Sequence, residues 1–164
     1  MLSEFSGGWE FFSFPEPSWD DVALEDILMS EGDSRLDDLF IERDDLRMSN
    51  DLPVVRENRP LRIGTVGKGG QGERVYSVKG HAITLSAYGG GVGAKTGMYL
   101  FGKRIRRLHP LECKKIMGFP DDFILDENPN VSYKQFGNSV VVSVVSAIAK
   151  EIEKALAKAR LLAA

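Results

Sequence analysis

Apolar residues along this chain come in short runs through the middle and in one long run near the end. Between Gly64 and Gly102 twelve glycines separate brief stretches at residues 61–66, 75–78 and 82–88. The β-branched and alternating residues of those stretches predict short twisted strands joined by glycine-shaped loops. Upstream, Phe14-Pro15-Glu16-Pro17 is an extended lead-in, because a residue preceding proline is pushed out of the helical region. Ser18 then caps a short helix with Asp20 and Asp21 in its first turn and Leu24, Ile27 and Leu28 on its apolar face. The acidic residues 33–51, punctuated by Leu36, Leu39, Phe40, Ile41 and Leu46, predict a second helix followed by loop. Residues 108–118 read as one short helix, with Pro110 in its first turn and Gly118 at its C-terminal end. Residues 139–162 begin apolar on most sides (Val140, Val141, Val142, Val144, Val145, Ile148) and turn amphipathic at Lys150, Glu151, Glu153, Lys154 and Lys158. Length favours a helix there over a strand, and its apolar start must be buried against something. Together these elements predict an α+β fold, a small Gly-rich β unit followed by C-terminal helices.

Charge sharpens the division. Residues 1–60 hold sixteen acidic against five basic side chains, whereas residues 61–115 hold two against eleven. A polyanion such as nucleic acid is the simplest partner for the second segment, and a solvated basic face is the bland alternative. A single cysteine excludes a disulfide framework, and with only two histidines a His/Cys metal cage cannot be completed, so no metal site is expected. No apolar run approaches the roughly 18 residues of a membrane span, and MLSEFSGGWEFF lacks a basic segment ahead of an apolar one. The expectation is a cytoplasmic protein without a membrane partner.

Two glycine motifs imitate nucleotide loops. Gly67-Lys68-Gly69-Gly70-Gln71-Gly72 fits G-x-G-x-x-G, but a pyrophosphate site needs a helix directly after it, and Glu73-Arg74-Val75-Tyr76-Ser77 continues as strand. GGGVGAKT at residues 89–96 is one change from a P-loop, yet the glycine-bounded segment after it is too short for the required helix. Cys113, between Glu112 and the pair Lys114 and Lys115, reads as a small buried residue rather than a nucleophile. His81 and His109 have no Ser or Cys placed to pair with them. What remains is two glycine-rich loops carrying Gln71, Arg74, Ser86, Tyr88 and Lys95, flanked by Arg104, Arg106 and Arg107. Glycine lets backbone approach bases closely, and Gln and Arg can read base edges in a groove.

RRLHPLECKKIMGFPDDF (residues 106–123) and YKQFGNSVVVSVV (133–145) resemble the last two motifs of bacterial cytosine-5 DNA methyltransferases. KGGQGERVYS (68–77) and AITLSAYGGG (82–91) resemble the two recognition loops of the family member that methylates the inner cytosine of GCGC. The likeness runs from about Phe12 to Ile152. Val92-Gly93 stands where that relative has a bulkier pair, which leaves the exact target open.

The resemblance implies a division into an N-terminal tail (1–12), a DNA target-recognition domain (13–108) and a C-terminal helical segment (109–164) that packs on a separate catalytic domain and completes the cofactor site. It implies that Gln71 fills the stack vacated by a flipped cytosine, Arg74 contacts guanine, Thr84 grips the phosphate backbone, and Ser86, Tyr88 and Gly91 complete the second loop. Arg106 would brace the domain at the DNA-binding face. Asn138 and Ser139, at the start of the last helix, would hold the methionine carboxylate of S-adenosylmethionine. The family's Pro-Cys nucleophile, Gly-rich cofactor loop, Glu-Asn-Val and Gln-x-Arg-x-Arg motifs are all missing from this sequence, so no catalytic residue is expected in this chain. The expected partners are double-stranded DNA and a catalytic methyltransferase chain, as a heterodimer; the initiator Met1 favours a naturally split enzyme over an excised piece. A stand-alone DNA-binding or regulatory module is the alternative.

Overall fold

The structure, a computed structural model, describes residues 8–17 and 22–162, which form two units, one from residues near both ends and one spanning the middle. In the middle unit, strands β1 (Phe40–Ile41), β2 (Arg47–Met48), β3 (Arg62–Thr65), β4 (Arg74–Ser77), β5 (Met98–Phe101) and β6 (Arg104–Arg106) make one sheet in the order β1-β6-β5-β4-β3-β2. Every pair is antiparallel except β4 with β5. A parallel neighbour cannot follow a tight turn, so the chain must cross over, and residues 78–97 do this without a helix. The whole second glycine-rich loop is that crossover.

Ile63, Val66, Val75, Met98 and Ile105 meet as the sheet's core. Each such side chain contributes about 1.5–3 kcal/mol on burial. The crossover is pinned at its root by Tyr99, whose buried hydroxyl accepts from the Ile83 amide at 3.0 Å and donates to the Thr96 carbonyl at 3.0 Å. Burial pushes that phenol well above its ordinary pKa, so it stays a donor.

Helix α1 (Pro110–Ile116) starts at His109, whose Nδ1 accepts from the Leu111 amide, while Glu112 reaches back to accept from the His109 amide. Gly118, at φ 73°, follows its last turn. Helix α2 (Pro129–Asn138) opens on Asn128 and Pro129 and is fastened to the sheet end by the Tyr133 hydroxyl donating to the Leu108 carbonyl at 2.7 Å. In the other unit, helix α3 (Val142–Leu162) packs with the turn Gly8–Phe11, where the Lys158 ammonium lies 4.9 Å from the Phe11 ring centre.

The α+β expectation holds, with local differences. Residues 82–88 are loop, not strand, because the crossover consumes them. Residues 33–51 form a 3-10 turn (Ser34–Leu39) and then β1 and β2 instead of an α-helix; the run Leu39, Phe40 and Ile41 completes the sheet edge. The helix expected after Ser18 is only a 3-10 turn, Leu24–Asp26, and its proposed cap Ser18 and first-turn Asp20 and Asp21 lie outside the described residues. Among the described residues no helix is long and apolar enough to cross a membrane, and no cluster of His, Cys, Asp or Glu is built to hold a metal.

Candidate nucleic-acid interface

The first loop is closed by its own residues. The Val66 amide donates to the Glu73 carbonyl at 2.8 Å, the Gly69 amide to the Val66 carbonyl at 3.1 Å, and the Glu73 carboxylate accepts from the Gly70 amide at 2.9 Å. From the sheet edge, Asp45 accepts from the Gly67 amide at 2.8 Å and the Arg47 guanidinium donates to the Gly67 carbonyl. Pairing with Arg43 and this amide bond hold the Asp45 carboxyl well below the usual carboxylate range, so the loop's anchor stays ionised. A single 3-10 turn (Gln71–Glu73) leads straight into β4, and β5 follows the P-loop imitation, so neither glycine motif opens the α-helix that a nucleotide loop requires.

The second loop lies against the first. The Gly93 amide donates to the Gly72 carbonyl at 2.8 Å, and a Cβ on Gly72 would sit 1.8 Å from the Gly90 carbonyl oxygen. Only glycine permits that approach. Gly91 takes φ 86° and also abuts Gly72. Between the loops runs a shallow cleft lined by Gln71, Gly72, Thr84, Ser86, Gly90 and Lys95, among others. Gln71, Thr84 and Tyr88 are exposed, Tyr88 at 77%. Arg74 begins β4, and its side chain takes no hydrogen bond or ion pair among the described residues, with a buried Nε left without a partner. Five of the expected residues therefore belong to two loops in mutual contact, Gln71, Thr84, Ser86, Tyr88 and Gly91, and Arg74 stands where the first loop enters β4.

Arg106 does not join them. It is 1% exposed, its guanidinium makes two hydrogen bonds to Glu112 at 2.7 and 2.8 Å and a third to the Arg107 carbonyl, and it lies 4.4 Å from the Phe101 ring centre. In this setting the guanidinium faces Glu112 and not the two loops, unlike the place among the DNA contacts expected for it. Arg104 is also committed in part, stacked 3.6 Å from the Phe40 ring centre.

Asn138 and Ser139 are in a different setting from the one expected. They end α2 rather than start the last helix: Ser139 is the C-terminal cap of α2, and α3 begins only at Val142. Asn128-Pro129, a capping residue followed by proline, is the start signal that places α2 here. The Ser139 hydroxyl donates to the Phe136 carbonyl at 2.9 Å, while the Asn138 side chain is exposed. This end of α2 nevertheless abuts the second loop, because a Cβ on Gly137 would lie 2.1 Å from the Ala87 amide nitrogen.

Cys113 is wholly buried and desolvation pushes its thiol far above the ordinary range, so it is no nucleophile.

The chain belongs to the C-5 cytosine-specific DNA methylase family, whose model matches residues 8–154. It is 48% identical over 145 residues to the type II methyltransferase M.HhaI of Haemophilus parahaemolyticus, covering 88% of this chain and 44% of that protein. To the type II methyltransferase M.SsoII of Shigella sonnei it is 31% identical over 143 residues, 87% of this chain and 35% of that one. Among solved structures, the methyltransferase EhMeth of Entamoeba histolytica superposes with a TM-score of 0.58 at 17% identity, covering 88% of this chain and 44% of that one, which is a likeness of fold. The chain spans less than half the length of each of these three.

Proposed function

We propose that this chain is the DNA-recognition part of a cytosine-5 DNA methyltransferase that moves a methyl group from S-adenosylmethionine to a cytosine flipped out of duplex DNA at a GCGC-like site, working as a heterodimer with a chain that carries the catalytic motifs. The observation that supports it most directly is the contact of the two glycine-rich loops at Gly72 and Gly93, which gathers Gln71, Thr84 and Ser86 around one cleft.

In this reading Arg74, free of partners, presents its guanidinium to guanine, and Gln71, exposed at the loop tip, occupies the gap left by the cytosine. Flipping costs a few kcal/mol of unstacking, which a side chain filling the gap offsets in part. Thr84 grips a phosphate, and Ser86, Tyr88 and Gly91 complete the second loop. Gly93 permits a tighter loop contact than a bulkier residue, since its Cβ would meet Met98 at 2.9 Å. Residues 13–108 form the recognition domain, residues 1–12 its N-terminal tail, and residues 109–164 the helical segment toward the catalytic chain. The exposed Val140, Val144 and Val145 give that segment an apolar surface to bury.

S-adenosylmethionine, when bound, supplies the methyl group. Its amino-acid end suits the C-terminus of α2: the last carbonyls carry the negative end of the helix dipole and suit an ammonium, and the exposed Asn138 amide can donate to a carboxylate. Ser139, its hydroxyl proton already committed to Phe136, has only acceptor capacity left. The nucleophilic thiolate comes from the other chain.

The test is transfer of labelled methyl to duplexes containing GCGC, by the chain alone, by a chain bearing Pro-Cys and the Gly-rich cofactor loop, and by the two mixed. Incorporation only in the mixture is expected. Methylation by this chain alone overturns the reading, and DNA binding with no transfer in the mixture would leave a stand-alone DNA-binding or regulatory module.

A further inference from the structure

We propose that Lys95 and Asn130 form a clamp that fixes the second loop on α2 and thereby sets how sharply the loop discriminates between sequences. This rests on the reading of the two loops as a DNA-recognition surface.

Lys95 is the one non-glycine residue with positive φ among the described residues, at 75°. Lysine does not adopt that conformation unless its surroundings hold it there. Its carbonyl accepts from the Ser86 amide at 2.9 Å, so its backbone is the far post that closes residues 86–95 into a loop. Its ammonium donates to the Asn130 side-chain oxygen at 2.7 Å and lies 5.7 Å from the Tyr133 ring centre. Asn130 is itself fixed in the first turn of α2, its amide donating to Asn128 at 3.0 Å. At the other end of the same helix Gly137 sits against Ser86 and Ala87, and between them the Lys134 ammonium lies 5.2 Å from the Tyr88 ring centre.

The loop thus touches one helix at both of its ends. Inside it are Gly89, Gly90, Gly91 and Gly93, which give the chain no stiffness of its own. Reading a base edge requires Ser86 and Tyr88 to be held in place before DNA arrives: only the correct complex uses their fixed positions and so bears the cost of ordering them, whereas binding through phosphates to a wrong sequence does not. The clamp supplies that order from outside the loop. A lysine on a basic glycine-rich loop would otherwise be read as a phosphate contact; here its ammonium is directed to a helix residue of the same unit. Lys95 and Asn130 are positioning residues.

Two measurements on the full chain test this. The first is hydrogen exchange at the Ser86 amide without DNA. Asn130→Ala and Lys95→Gly should each speed it by about tenfold, the size expected for losing one hydrogen bond to a charged group, and Asn130→Asp, which keeps an acceptor, should restore the wild-type rate. The second is binding to duplexes containing GCGC and to each of its single-base variants. In Asn130→Ala and Lys95→Gly the preference for the best duplex should fall by about tenfold while affinity for the worst and the slope of affinity with salt stay unchanged. Asn130 is exposed, so its variants should keep the fold. Unchanged exchange overturns the clamp. Faster exchange with full discrimination overturns its role in selectivity. A salt slope reduced by about one in Lys95→Gly, with affinity lost on every duplex, makes Lys95 a phosphate contact instead. If the wild-type chain prefers no duplex while exchange responds as expected, the recognition reading itself fails and the selectivity role falls with it.

Discussion

Arg106 and Glu112 face each other through two hydrogen bonds, from Nη1 to Oε2 at 2.8 Å and from Nη2 to Oε1 at 2.7 Å, with both side chains buried. The same carboxylate accepts from the amides of Met29 and His109, so the chain around Met29 and the segment 106–112 meet at one anion. Removing one partner of such a pair leaves a buried charge unmatched, at a cost of about 3–5 kcal/mol. Glu112→Gln and Arg106→Met should therefore both shift the urea midpoint strongly downward. A shift no larger than that of an exposed control such as Lys150→Gln would show that the pair is not a brace.

The contact between the loops gives a second expectation. Gly72→Ala forces a methyl to within 1.8 Å of the Gly90 carbonyl oxygen, so the loops must separate, whereas Gly90 has open space around its Cβ position. Overpacking of this kind costs about 1–3 kcal/mol. Gly72→Ala should lose preference among GCGC duplex variants, and Gly90→Ala should keep it. Equal discrimination in both would mean that the two loops act independently.

Elements of the sheet were legible in the sequence where they carried their own pattern. β3 and β4 alternate or run β-branched between glycines, and α1 has His109, Pro110 and Gly118 at its ends. The edge strands were not legible: β1 and β2 have two residues each and exist because β6 and β3 offer them partners. Residues 82–88 have strand composition, yet the parallel pairing of β4 and β5 uses that segment as connection, a choice made by the sheet and not by local propensity. At the interface, the two loops were readable as separate glycine-rich segments, but their contact depends on Gly72 and Gly93, twenty-one residues apart, for which no spacing rule exists. Arg106 shows the converse. Among several arginines in a basic segment, only the fold distinguishes the one buried against Glu112. α2 was not legible: the valine run after Ser139 outweighs the start signal at Asn128-Pro129, so Asn138 and Ser139 read as the start of the last helix and not as the end of another.

His109 makes the stability depend on pH. Its Nδ1 accepts from the Leu111 amide as the α1 cap, and burial lowers its pKa from the ordinary histidine value. A histidine whose folded pKa is depressed is favoured neutral in the folded state, so the unfolded chain takes up the proton first. Stability from this group is present above about pH 6.5 and is lost as pH falls from there through the folded value. His109→Asn keeps a neutral cap acceptor without titrating there, and should flatten the decline between pH 7 and 5 seen in thermal melts. Parallel curves for wild type and variant would remove His109 from the account.

Arg74 separates reading from attachment. It stands at the start of β4, three residues after Gln71, its side chain with no hydrogen-bond or ion-pair partner among the described residues. A guanidinium left free at the root of a rigid loop can donate two parallel bonds to the O6 and N7 of guanine, and such a pair is worth about 1–3 kcal/mol of discrimination. Arg74→Ala should therefore weaken binding to the GCGC duplex by that amount and bring it level with the duplex altered at the one base pair Arg74 reads, leaving the other single-base variants still disfavoured. Arg74→Lys should recover affinity through its charge but only part of the discrimination, because an ammonium lacks the fork. If Gln71 fills the vacated stack as proposed, Gln71→Ala should instead reduce methyl transfer by the proposed two-chain mixture with little change in which duplex is preferred, since such a residue acts on every site alike. Should Arg74→Ala lose affinity equally on all duplexes, Arg74 is a phosphate contact. Should it keep full preference, the readout lies in the second loop, with Ser86 and Tyr88.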